Sequence, residues 1–299
     1  MTGCPRRPSV SRSVLRMVSS GRAPPRPSRK SRLRTDRRAM RLSSVAGRGS
    51  LAALGCLLLA MSATAAPVDT AEELAQWIVD TDVVILGEVH DNPAHHVFQT
   101  EVAEAIAPSA FVFEMVTADE ARFVTPDLVA DPAALSEALG WAESGWPDFS
   151  MYYPLFLRAA RTAALGAEVP RDAARAAFAE GAAAVFPGDA ARFGLTDPLD
   201  PDEQAMREAE QREAHCNALP EDILPGFVEA QRLRDAALAE AALDALELHG
   251  APVVIVTGNG HARTDWGVPA LLARAAPEVT VFALGQFEAA PEAPVPFDA

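Results

Sequence analysis

The chain has 299 residues, 49% of them hydrophobic, enough for one good-sized domain or a domain with a helical insertion. The formal charge of −15 hides an asymmetry: residues 1–66 carry 14 Lys and Arg against one acid, Asp36, and the remainder carries 12 basic and 40 acidic residues, a net charge of −28. So negative a surface repels phosphate backbones and excludes nucleic acid as a partner of the folded part, and with Cys216 the one cysteine after residue 66 neither a disulfide framework nor a zinc cluster of cysteines is expected within it.

Residues 1–39 are rich in Arg, Ser and Pro without an apolar period, and read as a disordered or untranslated extension. Met40 is the better start. Arg41 and Arg48 form a basic n-region, Leu51–Met61 a short apolar h-region, and Ala63-Thr64-Ala65 a small-x-small cleavage site. Residues 40–66 are thus expected to be a signal peptide, too short for an ordinary membrane span, that exports the protein to the periplasm or outer membrane. Cys56 follows Ala53-Leu54-Gly55, an imperfect lipoprotein box. Ala53 stands where a larger aliphatic residue is usual, and Leu57-Leu58-Leu59 prolongs the apolar run past the cysteine.

A first helix is expected from Thr70, with Thr70 and Glu73 as a capping box and Leu74, Trp77 and Ile78 on its apolar face. Val83–Leu86 reads as a buried strand ended by Gly87. Asp91-Asn92-Pro93 then opens a helix that begins with His95 and His96. Ala110–Met115 is a second buried strand. Residues 118–165 read as mostly helical, with Trp141, Trp146, Phe149, Tyr152 and Tyr153 among them, and Ala167–Pro170 as a short strand. An Ala-rich helix follows from Arg171, an irregular connection over 187–201, and long helices over Glu203–Leu219 and Phe227–His249, with Met206, Leu233, Leu238 and Leu246 marking their buried faces. Pro252–Thr257 is a third buried strand that runs into Gly258-Asn259-Gly260-His261. A helix at Val268–Ala275 and a strand at Val279–Leu284 complete the pattern. Strands alternating with helices predict an α/β fold with a mainly parallel sheet. The domain is expected over 67–287, with a smaller helical subdomain inserted at about 118–250 and a disordered tail over 288–299.

The chemistry gathers at strand ends. Glu88 and His90 follow the first strand, Glu114 ends the second, and His261 follows a later one. In a parallel sheet these ends share one edge, where open α/β sheets bind ligands. Glu88, His90, Glu114 and His261 suit a divalent metal such as iron, manganese or zinc, or acid–base hydrolysis of an ester or peptide. The same residue types also suit the pocket of a haem, with histidine or tyrosine as axial ligand. Plainer readings stand beside these. Glu114 serves equally as a turn cap or a partner of Arg122 or Arg158, Tyr152 and Tyr153 as core aromatics, and His249 as a cation at a helix C-terminus.

LGEVHDNPAHH, FEM, GWPDFSMYYPLF, VPRDAARA, QRLRDAALA and GNGHARTDWGVPALL, in this order from about Val83 to Leu272, resemble the ChaN family of exported, often lipid-anchored haem and iron uptake proteins. That family lies in a wider group with the erythromycin esterases and TIKI metalloproteases. The resemblance implies an α/β domain with a smaller helical one, and haem held between the protomers of a homodimer. It also implies an outer-membrane haem receptor as partner. The family's tyrosine ligand to haem iron falls, by its Y-x-P pattern, on Tyr152, with Tyr153 intervening; His95 and His96, beside the strand-end cluster, are further candidates for cofactor binding. Two departures matter: Cys56 matches the lipoprotein cysteine poorly, and Glu168 replaces the usual asparagine before the Val-Pro-Arg turn.

Overall fold

Five apolar runs pair in parallel to make one sheet. They are β1 (Val83–Glu88), β2 (Ala110–Phe113), β3 (Ala164–Gly166), β4 (Val253–Gly258) and β5 (Val281–Leu284), in the order β3-β2-β4-β1-β5. The computed structural model describes residues 65–299, within a unit that spans Ser62–Ala299. The expected extension over 1–39, the signal segment up to Thr64 and Cys56 lie outside the described residues. The helices are α1 (Ala71–Trp77), α2 (Pro93–Ile106), α3 (Pro132–Ala138), α4 (Trp141–Ser144), α5 (Phe149–Ala159), α6 (Arg171–Glu180), α7 (Ala182–Val185), α8 (Pro201–Ala214), α9 (Leu224–His249), α10 (Asn259–Ala262) and α11 (Val268–Ala275).

The strands are apolar over most of their length because both faces of the sheet are covered, with polar residues such as Glu88 and Thr257 only at their C-terminal ends. Their side chains alternate between two cores. Val84, Leu86, Phe111, Phe113, Val254 and Val256 pack with Leu74, Val102, Leu155 and Phe156 of α1, α2 and α5. Val83, Ile85, Val112, Val253 and Ile255 pack with Ala177, Leu233, Ala236, Ala239 and Leu272 of α6, α9 and α11. The segment 118–250 therefore belongs partly to the sheet layers: β3 pairs beside β2, and α9 covers one face.

The helix starts follow their caps. Thr70 Oγ1 accepts from Glu73 N, and Asn92 Oδ1 from Ala94 N with Pro93 in the first turn. Several expectations shift. The third strand lies at Ala164–Gly166 rather than Ala167–Pro170, because its partner β2 ends at Phe113 and the ladder ends with it. Trp77 and Met206 are exposed rather than buried. Trp77 is the last residue of its helix, while α8 buries chiefly Arg207 and turns Met206 outward.

The tail over 288–299, expected to be disordered, is tied to the edge strand β5. Asp298 N donates to Ala283 O, Gly285 N to Ala299 O, and Asp298 Oδ2 accepts from Ala283 N. Phe297 is buried against Gly285 and the Phe287 ring. The physical reason is the open row of backbone donors and acceptors on an edge strand, which a proline-rich segment can still satisfy in part. Phe297→Ala is therefore expected to lower unfolding free energy by roughly 3 kcal/mol, read by urea denaturation. A midpoint within error of the native protein's would contradict this packing.

Candidate functional site

The sheet order places β2, β4 and β1 side by side, so Glu114, Gly258–His261 and Glu88–His90 leave the same edge. Sequence reasoning placed these groups together, and they are together, as two linked clusters.

The first cluster surrounds Glu88, which is buried at the end of β1. Its Oε1 accepts from His90 Nδ1 at 2.8 Å and from the Tyr152 hydroxyl at 2.9 Å; its Oε2 accepts from Gln99 Nε2 at 2.8 Å. Helix α2 supplies Gln99 and His96, one turn apart. His96 Nε2 donates to His90 O, and its Nδ1 lies 3.3 Å from Glu88 Oε2. Burial alone would lower the His90 pKa, but the Glu88 hydrogen bond and the charge of Glu114 raise it. Tyr152 is 0% exposed, and burial followed by the Glu88 charge pushes its phenol far above the ordinary range. Its oxygen therefore stays protonated and faces inward. The Tyr153 hydroxyl donates to Val129 O, away from this cluster. His95 faces another way again. Its Nδ1 accepts from Val89 N, burial lowers its pKa, and it lines an apolar cavity of about 710 Å³ with Phe98 and Phe287.

The second cluster surrounds Glu114. Oε2 accepts from Thr257 Oγ1 at 2.7 Å and Gly258 N at 2.8 Å, and Oε1 lies 3.4 Å from His261 Nε2. On its other side His261 Nδ1 lies 2.6 Å from Asp235 Oδ1 of α9. Burial would raise the Glu114 carboxyl, but the neighbouring His261 charge holds it well below the usual carboxylate range. Burial would likewise lower His261, yet Glu114 and Asp235 raise it to about 10. The three groups form a buried carboxylate–imidazolium–carboxylate set. Glu168 sits near the same edge, its carboxyl raised to about 7 by burial and then by Glu120.

The clusters meet at Gly258. A Cβ there would lie 2.8 Å from His90 Nε2, so a side chain at this position would push the imidazole aside. The His90 side chain is 35% exposed, against 6% for His261. The expected divalent site at Glu88, His90, Glu114 and His261 is not supported. Among the described residues no group of three or more His, Cys, Asp or Glu is arranged to hold a metal ion, because the carboxylates are spent on separate partners. Gln99, Asp235 and Trp146 were missed by sequence reasoning as site residues. Gln231 and Asp235, four apart on α9, both reach His261, but that helix also carries Glu229, Arg232, Arg234 and Glu240, so nothing in the sequence singled them out.

A family model described as haem-binding uptake, Tiki superfamily, ChaN, matches residues 74–272. The chain belongs to the ChaN family. A structure of ChaN from Campylobacter jejuni, solved with cofacial haem, matches at a TM-score of 0.56 and 16% identity, over 75% of this chain and 89% of that one. This likeness extends the family assignment to the fold, an α/β unit with a five-stranded parallel sheet flanked by helices. The type III effector HopBA1 (TM-score 0.37, 14% identity, 66% and 76% coverage) and a succinoglycan biosynthesis protein (0.38, 12%, 74% and 72%) also match. No curated protein matches the chain in sequence.

His261 has a folded-state pKa above its ordinary 6.5, so its stabilisation is complete below pH 6.5 and is lost as pH rises toward 10. Glu114, lowered, contributes above its ordinary 4.5 and loses that contribution as pH falls through its folded value. His261→Ala strands two buried carboxylates and is expected to cost about 3–5 kcal/mol at pH 6. Unfolding measured at pH 6 and pH 9 should show a smaller decline for the variant than for the native protein; equal declines would refute the ion set.

Proposed function

We propose that this protein binds haem for uptake, and that it does so at the rim where β1, β2 and β4 end, with His90 as the residue facing the iron. Membership of a haem-binding uptake family supports the ligand. The geometry that carries the site is the Glu88–His90 pair beside Gly258. Haem iron, when bound, accepts a nitrogen or oxygen donor. His90 Nδ1 donates to a buried carboxylate, which directs the proton to Nδ1 and leaves the Nε2 lone pair for a ligand, the orientation found where histidine meets metal. Gly258 keeps that position from being filled by a side chain of the chain itself. The other expected haem residues fit less well. Tyr152 is enclosed and bonded to Glu88, Tyr153 is bonded to Val129, and both nitrogens of His96 face protein oxygens.

The hydrolase reading draws less support from the same atoms. General acid–base catalysis works best with groups that titrate near the operating pH. Glu114 and His261 are instead displaced to opposite extremes, which suits a fixed ion set.

The basic, apolar and small-residue pattern of residues 40–66 supports export to the periplasm. No helix among the described residues is long and apolar enough to cross a membrane. Mass spectrometry of the mature N-terminus distinguishes cleavage after Ala65 from a lipid anchor on Cys56. A haem at an open rim leaves one face uncovered, which a second copy of the chain would close, as a homodimer. An outer-membrane haem receptor is the proposed source of the ligand.

Titrating the purified protein with haemin should produce a Soret band. His90→Ala is expected to weaken binding at least tenfold, the loss of about 1.4 kcal/mol or more. Tyr152→Phe should leave the band in place while lowering stability by about 1–3 kcal/mol, because it leaves a buried carboxylate oxygen short of a donor. A band lost with Tyr152→Phe and kept with His90→Ala would reverse the assignment. No band in the native protein would refute haem binding.

A further inference from the structure

The loop before α5 holds an aromatic ring over His90. Trp146 and His90 meet edge to face, with centroids 4.9 Å apart and planes at 64°. The indole is half-buried: one side packs on the core beneath α5, and the remainder stands at the rim.

This placement is tightly specified. Gly145 takes φ +88°, a conformation that side chains rarely adopt, and so turns the chain sharply just before Trp146. Trp146 N donates to Ser144 Oγ at 3.1 Å, and Ser144 Oγ donates to Trp141 O at 2.8 Å. Arg171 Nη2 donates to Ser144 O at 2.8 Å. On the far side, Trp141 Nε1 donates to Pro147 O at 2.7 Å, and Asp148 caps α5 through Ser150 N. Five hydrogen bonds therefore fix the segment Ser144–Asp148, although the ring it presents is not fully buried. A large apolar ring held firmly at a polar rim is a feature of binding sites, where a rigid aromatic supplies contact area at small entropic cost.

We infer that Trp146 is the stacking wall of the ligand site and selects a flat conjugated ring system. The inference rests on the proposed haem reading. The indole stands 4.9 Å from the imidazole at the same rim, within reach of a flat ligand that His90 would hold. Stacking needs no iron. Trp146 and His90 thus make separable contributions: one through the ring face, the other through the metal.

Two probes separate them. Haemin binds through both contributions, and iron-free protoporphyrin IX through stacking alone. Trp146→Leu is expected to raise the haemin dissociation rate, measured by transfer to apomyoglobin, about tenfold. It should weaken protoporphyrin IX binding by a similar factor, while Trp146→Phe recovers most of both. His90→Ala should weaken haemin binding yet leave protoporphyrin IX affinity within twofold. Circular dichroism and the urea midpoint identify a variant that has lost its fold, and the Phe variant then carries the test. If the native protein binds haemin and Trp146→Leu releases it at the native rate with unchanged protoporphyrin IX affinity, the stacking role is overturned and the haem reading stands. If the native protein binds neither porphyrin, both fall.

Discussion

Two carboxylates buried at the ends of β1 and β2, on either side of β4, set the terms for the rest of this structure. An ionised carboxyl removed from water is tolerated only where donors or positive charge replace its hydration. Glu88 meets this with three hydrogen bonds, from His90, Tyr152 and Gln99. Glu114 meets it with Thr257, the Gly258 amide and the charge of His261. Each solution recruits a different helix layer, α2 and α5 on one face and α9 on the other. The edge of the sheet is thereby fastened to both cores by polar contacts as well as apolar ones.

The two clusters differ in what they leave over. Around Glu114 the imidazole is enclosed: His261 lies between two acids, which raise its pKa to about 10. Around Glu88 it is open on one side, since His90 keeps part of its ring at the surface, next to Trp146 and above a glycine. The result is a rigid polar foundation beneath one partly exposed imidazole. It explains why four residues of like chemistry need not act as one metal site.

Much of the fold was legible because it rests on local patterns. Val83–Leu86, Ala110–Phe113 and Val253–Thr257 are apolar without alternation, as strands covered on both faces must be. Glycine, asparagine and proline marked where helices begin. Errors arose where partners decided the outcome. The third strand could not be located from its own residues, since its length is set by where β2 stops. The tail looked disordered because proline and alanine carry no pattern, yet an edge strand with open backbone groups gives it a place. Tyr152 and Tyr153 are neighbours in sequence, and only packing distinguishes the one inside from the one beside Val129.

By itself the sequence determined the elements, their parallel arrangement and the fact that Glu88, His90, Glu114 and His261 share an edge. Those properties follow from hydrophobic period and turn chemistry, which act over a few residues. Only the tertiary structure decided how that edge is divided: His90 to Glu88, His261 to Glu114 and Asp235, Tyr152 inward and Trp146 outward. Such pairings depend on distances of about 3 Å between residues as far apart in sequence as Glu114 and His261, and nothing in local spacing constrains them.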